Sequence, residues 1–374
     1  MRPTHILRVP MKQQQQGMMA EENLVEVENL KTHFFTEEGI VRAVNGVSFV
    51  IPKGKTVGVV GESGSGKSVT ARSIMKLVSP PGRVVDGSIR VRRRDGGIDD
   101  VVTLNDHGPR IRSLRGREVA MIFQEPMASL SPVHKIGRQM TEMIELHLQL
   151  DKAEARERAI EMLNRVDMPK PTQTFDSYTF ELSGGMRQRA MIAMALSCDP
   201  SLLIADEPTT ALDVTTQATI IDLIMDLSED FGLAVMFITH DLGVIAEIAD
   251  EVIVMYLGNV VERGDVDSIF HDPKHPYTRS LLRSIPRLGL EKRHRLEAIR
   301  GMVPSPFNRP AGCPFHDRCD EFMPGVCDEL VPPPEPLGPG REARCLLYSD
   351  IDSVREQQND ASSAAVAPTE EDMR

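Results

Sequence analysis

Residues 61–68 read GESGSGKS, a glycine-rich loop ending in Lys67 and Ser68, with the apolar run KTVGVVG before it and the helical pattern VTARSIMKL after it. This fills the G-x-x-x-x-G-K-[ST] pattern in a strand–loop–helix setting. There the glycines let backbone N–H groups face phosphate oxygens, the lysine reaches the outer phosphates, and the serine hydroxyl holds Mg2+. Gly61, Glu62, Ser63, Gly64, Ser65, Gly66, Lys67 and Ser68 are therefore candidate phosphate-binding residues. A carboxylate pair, Asp206 and Glu207, ends another apolar run, SLLIADEP. Behind a phosphate loop, such an Asp can hold Mg2+, and the adjacent Glu can orient and deprotonate an attacking water. A third stretch, ELSGGMRQRAMIAMAL (181–196), puts Ser183, Gly184 and Gly185 in front of a largely apolar helix. A serine cap with bare backbone N–H groups behind it makes a second anion site.

One chain thus carries two phosphate cradles, and its elements must position both. The runs LVEVENL (24–30), VSFVIP (47–52), KTVGVVG (55–61), VAMIFQ (119–124), SLLIADEP (201–208), LAVMFITH (233–240) and EVIVMYLG (251–258) read as strands. Continuous apolar runs separated by helical patterns predict an α/β core with buried parallel strands. Residues 136–166, rich in Glu, Met, Leu and Arg at helical spacing, predict a helical insert. At 374 residues the chain exceeds one ordinary core, so a large domain and a smaller one are expected. Apolar and charged fractions of 41% and 26% are those of a folded soluble protein. No run of 18 apolar residues occurs, so the chain can lie against a membrane but not span it. A net charge of −12 argues against a nucleic-acid partner. Five cysteines, four of them after residue 312, do not suit a secreted disulfide scaffold and favour the cytosol. Residues 1–22, which include KQQQQG, and the acidic tail 351–374 have too little apolar content to pack and are expected to be disordered. Met18 and Met19 are candidate start residues.

Six motifs fall in a telling order: GESGSGKS, Gln124 in MIFQEP, LSGGM at 182–186, Asp206–Glu207, ALD at 211–213, and His240 in THD. In type and order they resemble the ATP-binding-cassette (ABC) transporter ATPases, over about residues 24–265. The resemblance implies a P-loop ABC nucleotide-binding domain at 23–265, with a RecA-like core, an antiparallel β subdomain and a helical subdomain at about 125–195. It implies ATP and Mg2+ as ligands, the metal held by Ser68, Gln124 and Asp206. Glu207, His240 and Gln124 would be the catalytic set, and Phe34, or its neighbour Phe35, would stack on adenine. It further implies that two such domains meet head to tail, so Ser183, Gly184 and Gly185 would touch ATP held by a partner, with Asp213 lining the dimer seam. Met186 stands where the family more often has Gln.

Beyond residue 265 a narrower likeness appears. HDPKHPYTRSLLRSIP (271–286), GCPFHDRCDEFMPGVCDELVPP (312–333) and GREARC (340–345) resemble the C-terminal extension of oligopeptide/dipeptide importer ATPases, here at 266–350. With SPPGRV and GESGSGKSVT, the chain resembles their D-type subunit. The likeness implies uptake of di- or oligopeptides, two transmembrane permease subunits, an extracytoplasmic solute-binding protein, and a second homologous ATPase subunit. It also implies a peripheral place on the cytoplasmic face of a bacterial membrane. Related importers of nickel, opines or oligosaccharides use similar ATPases, and a soluble non-transport ABC ATPase is a more distant alternative. Cys313, Cys319, Cys327 and Cys345 are spaced C-x5-C-x7-C-x17-C, which suits a [4Fe–4S] cluster or a zinc site. The Cys313–Pro314 step, the lack of C-x2-C pairs and the importer likeness favour iron–sulfur. His316 could replace one cysteine at a zinc, and unligated thiols are the third alternative. Cys198 reads as a small buried hydrophobe.

Overall fold

The structure, a computed structural model, describes residues 19–20, 22–124, 129–210, 213–284 and 299–364. Twelve strands run along the described chain: β1 Asn23–Thr36, β2 Gly39–Pro52, β3 Thr56–Val60, β4 Gly82–Arg92, β5 Ile98–Asp100, β6 Val119–Ile122, β7 Leu202–Asp206, β8 Ala234–Ile238, β9 Glu251–Tyr256, β10 Asn259–Asp265, β11 Glu335–Gly338 and β12 Arg341–Ala343. They form a four-stranded antiparallel sheet, β2-β1-β4-β5, and an eight-stranded sheet, β11-β12-β10-β9-β3-β8-β7-β6. Five strands of the second sheet, β9-β3-β8-β7-β6, are mutually parallel.

Every residue of β3, β7 and β8 is buried, which is why their sequences are unbroken apolar runs. The period of two still operates inside them. Val235 and Phe237 of β8 enter one core with the helical subdomain, whereas Ala234, Met236 and Ile238 enter a second core with the antiparallel sheet. The insert forms as expected, with helices Ile136–Leu148, Lys152–Arg165 and Pro171–Phe175. Asp151 caps the second through a complete capping box with Glu154.

The C-terminal extension is continuous with this body. Strand β12 pairs with β10 through Glu262–Ala343 and Arg263–Glu342, and β11 adds outside it. Cys313, Phe315, Leu330 and Leu346 share a core with Tyr256 of β9. The expected disorder of the tail is corrected as far as residue 364, because Ile351–Ala364 is a helix. Val354 is its buried anchor, Gln358 exchanges two hydrogen bonds with the Val331 backbone, and Arg355 donates to the Gly325 carbonyl at 3.0 Å. One apolar anchor and three side-chain bonds leave little trace in composition. At the other end Met19 is buried and Arg92 donates to its carbonyl at 3.2 Å, so the expected disorder stops short of it. The remainder of the expected disordered ends, 1–18, 21 and 365–374, lies outside the described residues.

A buried imidazole gives the extension an acid sensitivity. His275 caps the helix Pro276–Arg283, its Nδ1 accepting from the Tyr277 N–H at 3.0 Å. Burial, with Arg279 second, pushes its pKa down to about 3. The unfolded imidazole protonates near 6.5, so stability present above that pH is lost progressively as pH falls toward 3, about tenfold in the folding equilibrium per unit. Thermal unfolding followed against pH should show this slope between 3 and 6.5. His275→Asn, which keeps a capping acceptor, should flatten it.

Candidate active site

The phosphate loop follows β3 directly, and two of its glycines, Gly61 and Gly66, are required by space as well as by backbone angle. At Gly61, φ is +149° and a Cβ would stand 2.2 Å from the Met255 carbonyl oxygen. At Gly66, φ is +100° and the Ala43 carbonyl oxygen would lie 2.4 Å away. Lys67 opens the helix Lys67–Ile74 and is only 5% exposed. Its Nζ donates to the carbonyls of Gly61 at 2.7 Å and Glu62 at 3.1 Å. Burial lowers its pKa, opposed by the charges of Glu207, Asp206 and Glu62. A buried ammonium with only neutral direct partners, in a loop where neither Gly61 nor Gly66 leaves room for a side chain, suits a polyphosphate.

Asp206 ends β7 at 1% exposure, and its Oδ1 accepts from the Ser68 hydroxyl at 2.9 Å. Burial raises its pKa, against the hydrogen bond from Ser68. No cationic side chain lies within salt-bridge distance of it among the described residues. With Ser68 and the Gln124 amide oxygen it offers an all-oxygen set, the donor chemistry Mg2+ prefers. Glu207 follows in the left-handed region, φ +46°, pinned by its N–H donating to the Ile238 carbonyl at 2.9 Å. A strained, over-determined residue of this kind aims its carboxylate away from the strand line. Glu207 Oε2 accepts from Gln124 Nε2 and Thr210 Oγ1, each at 3.0 Å, while Oε1 faces the exposed His240 ring at 3.7 Å. The structure therefore brings Lys67, Ser68, Gln124, Asp206, Glu207 and His240 together at the C-terminal ends of β3, β6, β7 and β8. Open α/β sheets hold ligands at that edge.

The second cradle lies on other elements. Ser183 caps the helix Gly184–Leu196, its Oγ accepting from the Met186 N–H at 3.3 Å, and Ser183 and Gly184 are exposed. Asp213 caps Val214–Phe231, accepting from the Thr216 N–H at 3.0 Å and its hydroxyl at 2.7 Å, bonds that lower its pKa. The two helices touch at their starts, where a Cβ on Gly185 would lie 3.3 Å from Thr216 Cγ2. Ala211 and Leu212 of the ALD motif lie outside the described residues.

Beside the phosphate loop is a cavity of about 470 Å3, with Phe34 and Gly64 in its wall. Phe35 is exposed instead, with the Arg83 guanidinium 4.4 Å from its ring centre. Two features carried no local signal in the sequence. Residues 305–309 of the extension also line this cavity. Arg318, 3% exposed in its side chain, grips Glu62 of the phosphate loop with two bonds of 2.7 and 2.9 Å, while the Glu62 N–H donates to Tyr277 Oη at 2.8 Å.

Residues 44–210 match the ABC transporter family and residues 261–327 match the oligopeptide/dipeptide transporter C-terminal region. The chain is 51% identical over 328 residues to the oligopeptide transport ATP-binding protein AppD of Bacillus subtilis, covering 87% of this chain and 97% of that one. This chain belongs to the ABC transporter ATPases. The ABC ATPase is also 45% identical over 322 residues to the dipeptide transport ATP-binding protein DppD of Escherichia coli, covering 86% of it and 96% of DppD. Among solved structures it resembles the ATP-binding cassette MJ0796 in a dimeric post-hydrolysis state bound to ADP and phosphate. There the TM-score is 0.57 at 27% identity, covering 65% of this chain and 98% of that one. No helix among the described residues is long and apolar enough to cross a membrane.

The iron–sulfur expectation is corrected. Among the described residues no group of three or more His, Cys, Asp or Glu side chains is placed to hold a metal ion, and Cys313, Cys319, Cys327 and Cys345 are free. Burial pushes the Cys313 thiol up to about 12 and Cys345 to about 11, and raises Cys319 as well. The lack of such a ligand group among the described residues removes the zinc alternative as well. His316 spends Nδ1 on the Cys313 carbonyl at 2.8 Å and turns Nε2 to Asp317 at 3.0 Å. Cysteine spacing alone could not report this, because it does not carry the placement of the side chains. Cys198 is buried, and burial raises its thiol pKa too.

Proposed function

We propose that this ABC ATPase is the ATP-hydrolysing subunit of an importer of di- and oligopeptides, working beside a second, homologous ATPase and beneath two permease subunits fed by a solute-binding protein. What carries the reading is that a complete hydrolytic set shares one chain with an outward-facing second cradle, in a protein aligned almost end to end with peptide-transport ATPases. In this scheme Lys67 and the loop N–H groups bind the β and γ phosphates of ATP. Ser68, Asp206 and Gln124 would hold Mg2+, which would supply positive charge against the phosphate oxygens. Phe34 stacks on adenine.

Glu207 Oε1, the carboxylate oxygen left free by Gln124 and Thr210, takes a proton from the attacking water. The water oxygen bonds to the γ phosphorus as the bond to the β–γ bridging oxygen breaks, giving ADP and inorganic phosphate. His240, whose ring stands 3.7 Å from Glu207 Oε1, donates a ring N–H to the γ-phosphate. Ser183, Gly184 and Gly185 close over the partner's γ-phosphate, with Asp213 at the seam. Hydrolysis removes that bridge and lets the pair open, which moves the permease subunits. The dimeric state of MJ0796 supports this arrangement.

The experiment is ATP turnover by the complete complex in proteoliposomes with its solute-binding protein. Short peptides should raise the rate, and nickel, opines and oligosaccharides should not. Stimulation by one of those solutes and by no peptide would overturn the assignment of cargo.

A further inference from the structure

The cavity beside the phosphate loop has a wall that comes from the extension. Its near side is Phe34, Arg42, Gly64 and Gly66, and facing them is the segment from Ser305 to Arg309. Phe307 is a large aromatic left 47% exposed at that wall, and a Cβ on Gly39 at the start of β2 would lie 3.6 Å from its ring. Two phenyl rings bordering one cavity make a stacking platform for a planar base. Arg309 has no acidic partner among the described residues, and its Nη1 is buried without a hydrogen bond. Apart from the Cys313 thiol, the charges acting on it are the guanidiniums of Arg42 and Arg344. Arg42, also in the cavity wall, has no ion pair of its own among the described residues. A buried, unanswered guanidinium is costly unless an anion meets it, and guanidinium geometry suits phosphate oxygens.

We propose that Ser305–Arg309 is the second half of the nucleotide seat: Phe307 stacks on the adenine, and Arg309, helped by Arg42, binds the polyphosphate. The inference rests on the reading of this cavity as the place where ATP binds. It makes the C-terminal extension part of the ATP site of its own chain, so that nucleotide affinity depends on a segment outside the cassette.

The test uses the purified full chain. Binding of ATP is measured by calorimetry for wild type, Lys67→Ala, Arg309→Gln, Phe307→Ala and Phe307→Trp. Wild type is also photolabelled with 8-azido-ATP and digested with trypsin. Losing a charged hydrogen bond or a stacked base should each weaken ATP binding about tenfold or more. Phe307→Trp should restore it. Arg309→Gln should lose more affinity for ATP than for adenosine, a split that a merely structural role would not produce. The label should fall on the peptide Gly301–Arg318, which trypsin leaves whole because Pro310 follows Arg309. Should a variant fail to fold, the wild-type label still decides. Binding lost in Lys67→Ala but unchanged in both wall variants, with that peptide unlabelled, overturns the proposal and leaves the ATP reading standing. Wild-type binding indifferent to Lys67→Ala overturns both.

Discussion

Glu207→Gln in the assembled transporter should lower ATP turnover by about a hundred- to ten-thousandfold, the range contributed by a positioned general base, while ATP still binds. The substitution keeps shape and still offers an oxygen to the Gln124 and Thr210 donors, so the loop around φ +46° has no reason to move. It removes only the basicity of the oxygen that faces His240. Single-turnover hydrolysis and nucleotide retention, measured side by side, separate chemistry from binding. Undiminished turnover would take Glu207 out of the role of base. Asp206→Asn should instead weaken nucleotide binding in the presence of Mg2+, because its buried carboxylate meets Ser68 and not the path of the water.

Arg318→Ala should be the most destabilising single change between cassette and extension. The guanidinium makes both bonds to Glu62 and also reaches the Arg300 carbonyl at 2.9 Å and Tyr256 Oη at 3.3 Å. Truncating one partner of a largely buried ion pair leaves the other charge unanswered, which costs about 3 kcal/mol. Because Glu62 belongs to the phosphate loop, ATP affinity should fall together with the melting temperature. Glu62→Gln keeps one hydrogen-bond acceptor for Arg318 and should cost less. Urea unfolding and ATP binding on the same preparations check both. An Arg318→Ala chain as stable as wild type, with unaltered affinity, would mean that the extension does not brace the loop.

How much of this was legible in the sequence depends on range. Local chemistry was: the spacing from Gly61 to Ser68 fixes a loop, and fully buried parallel strands such as β7 and β8 can only be written as apolar runs. Contacts that close over long stretches were not. Arg318 and Glu62 are 256 residues apart, and nothing beside either residue announces the other. Strand β4, GRVVDGSIRVR, is broken by Asp86 and Gly87 and has only Ile89 and Val91 fully turned inward, so it lacks the continuous run that marked the core strands. The left-handed turn at Glu207 is imposed by Ile238 on a neighbouring strand, a tertiary cause. The cysteines misled for the converse reason, since their spacing fits a cluster while the placement of their side chains belongs to the folded body.

The most direct measurement is a structure of the complete complex carrying Glu207→Gln, loaded with Mg2+ and ATP. Expected is an ATP whose γ-phosphate meets the phosphate-loop lysine of the companion ATPase on one side and Ser183, Gly184 and Gly185 of this chain on the other, at hydrogen-bonding distance. An ATP-loaded complex in which Ser183 and its glycines face solvent, each nucleotide held by a single subunit, would contradict the shared site.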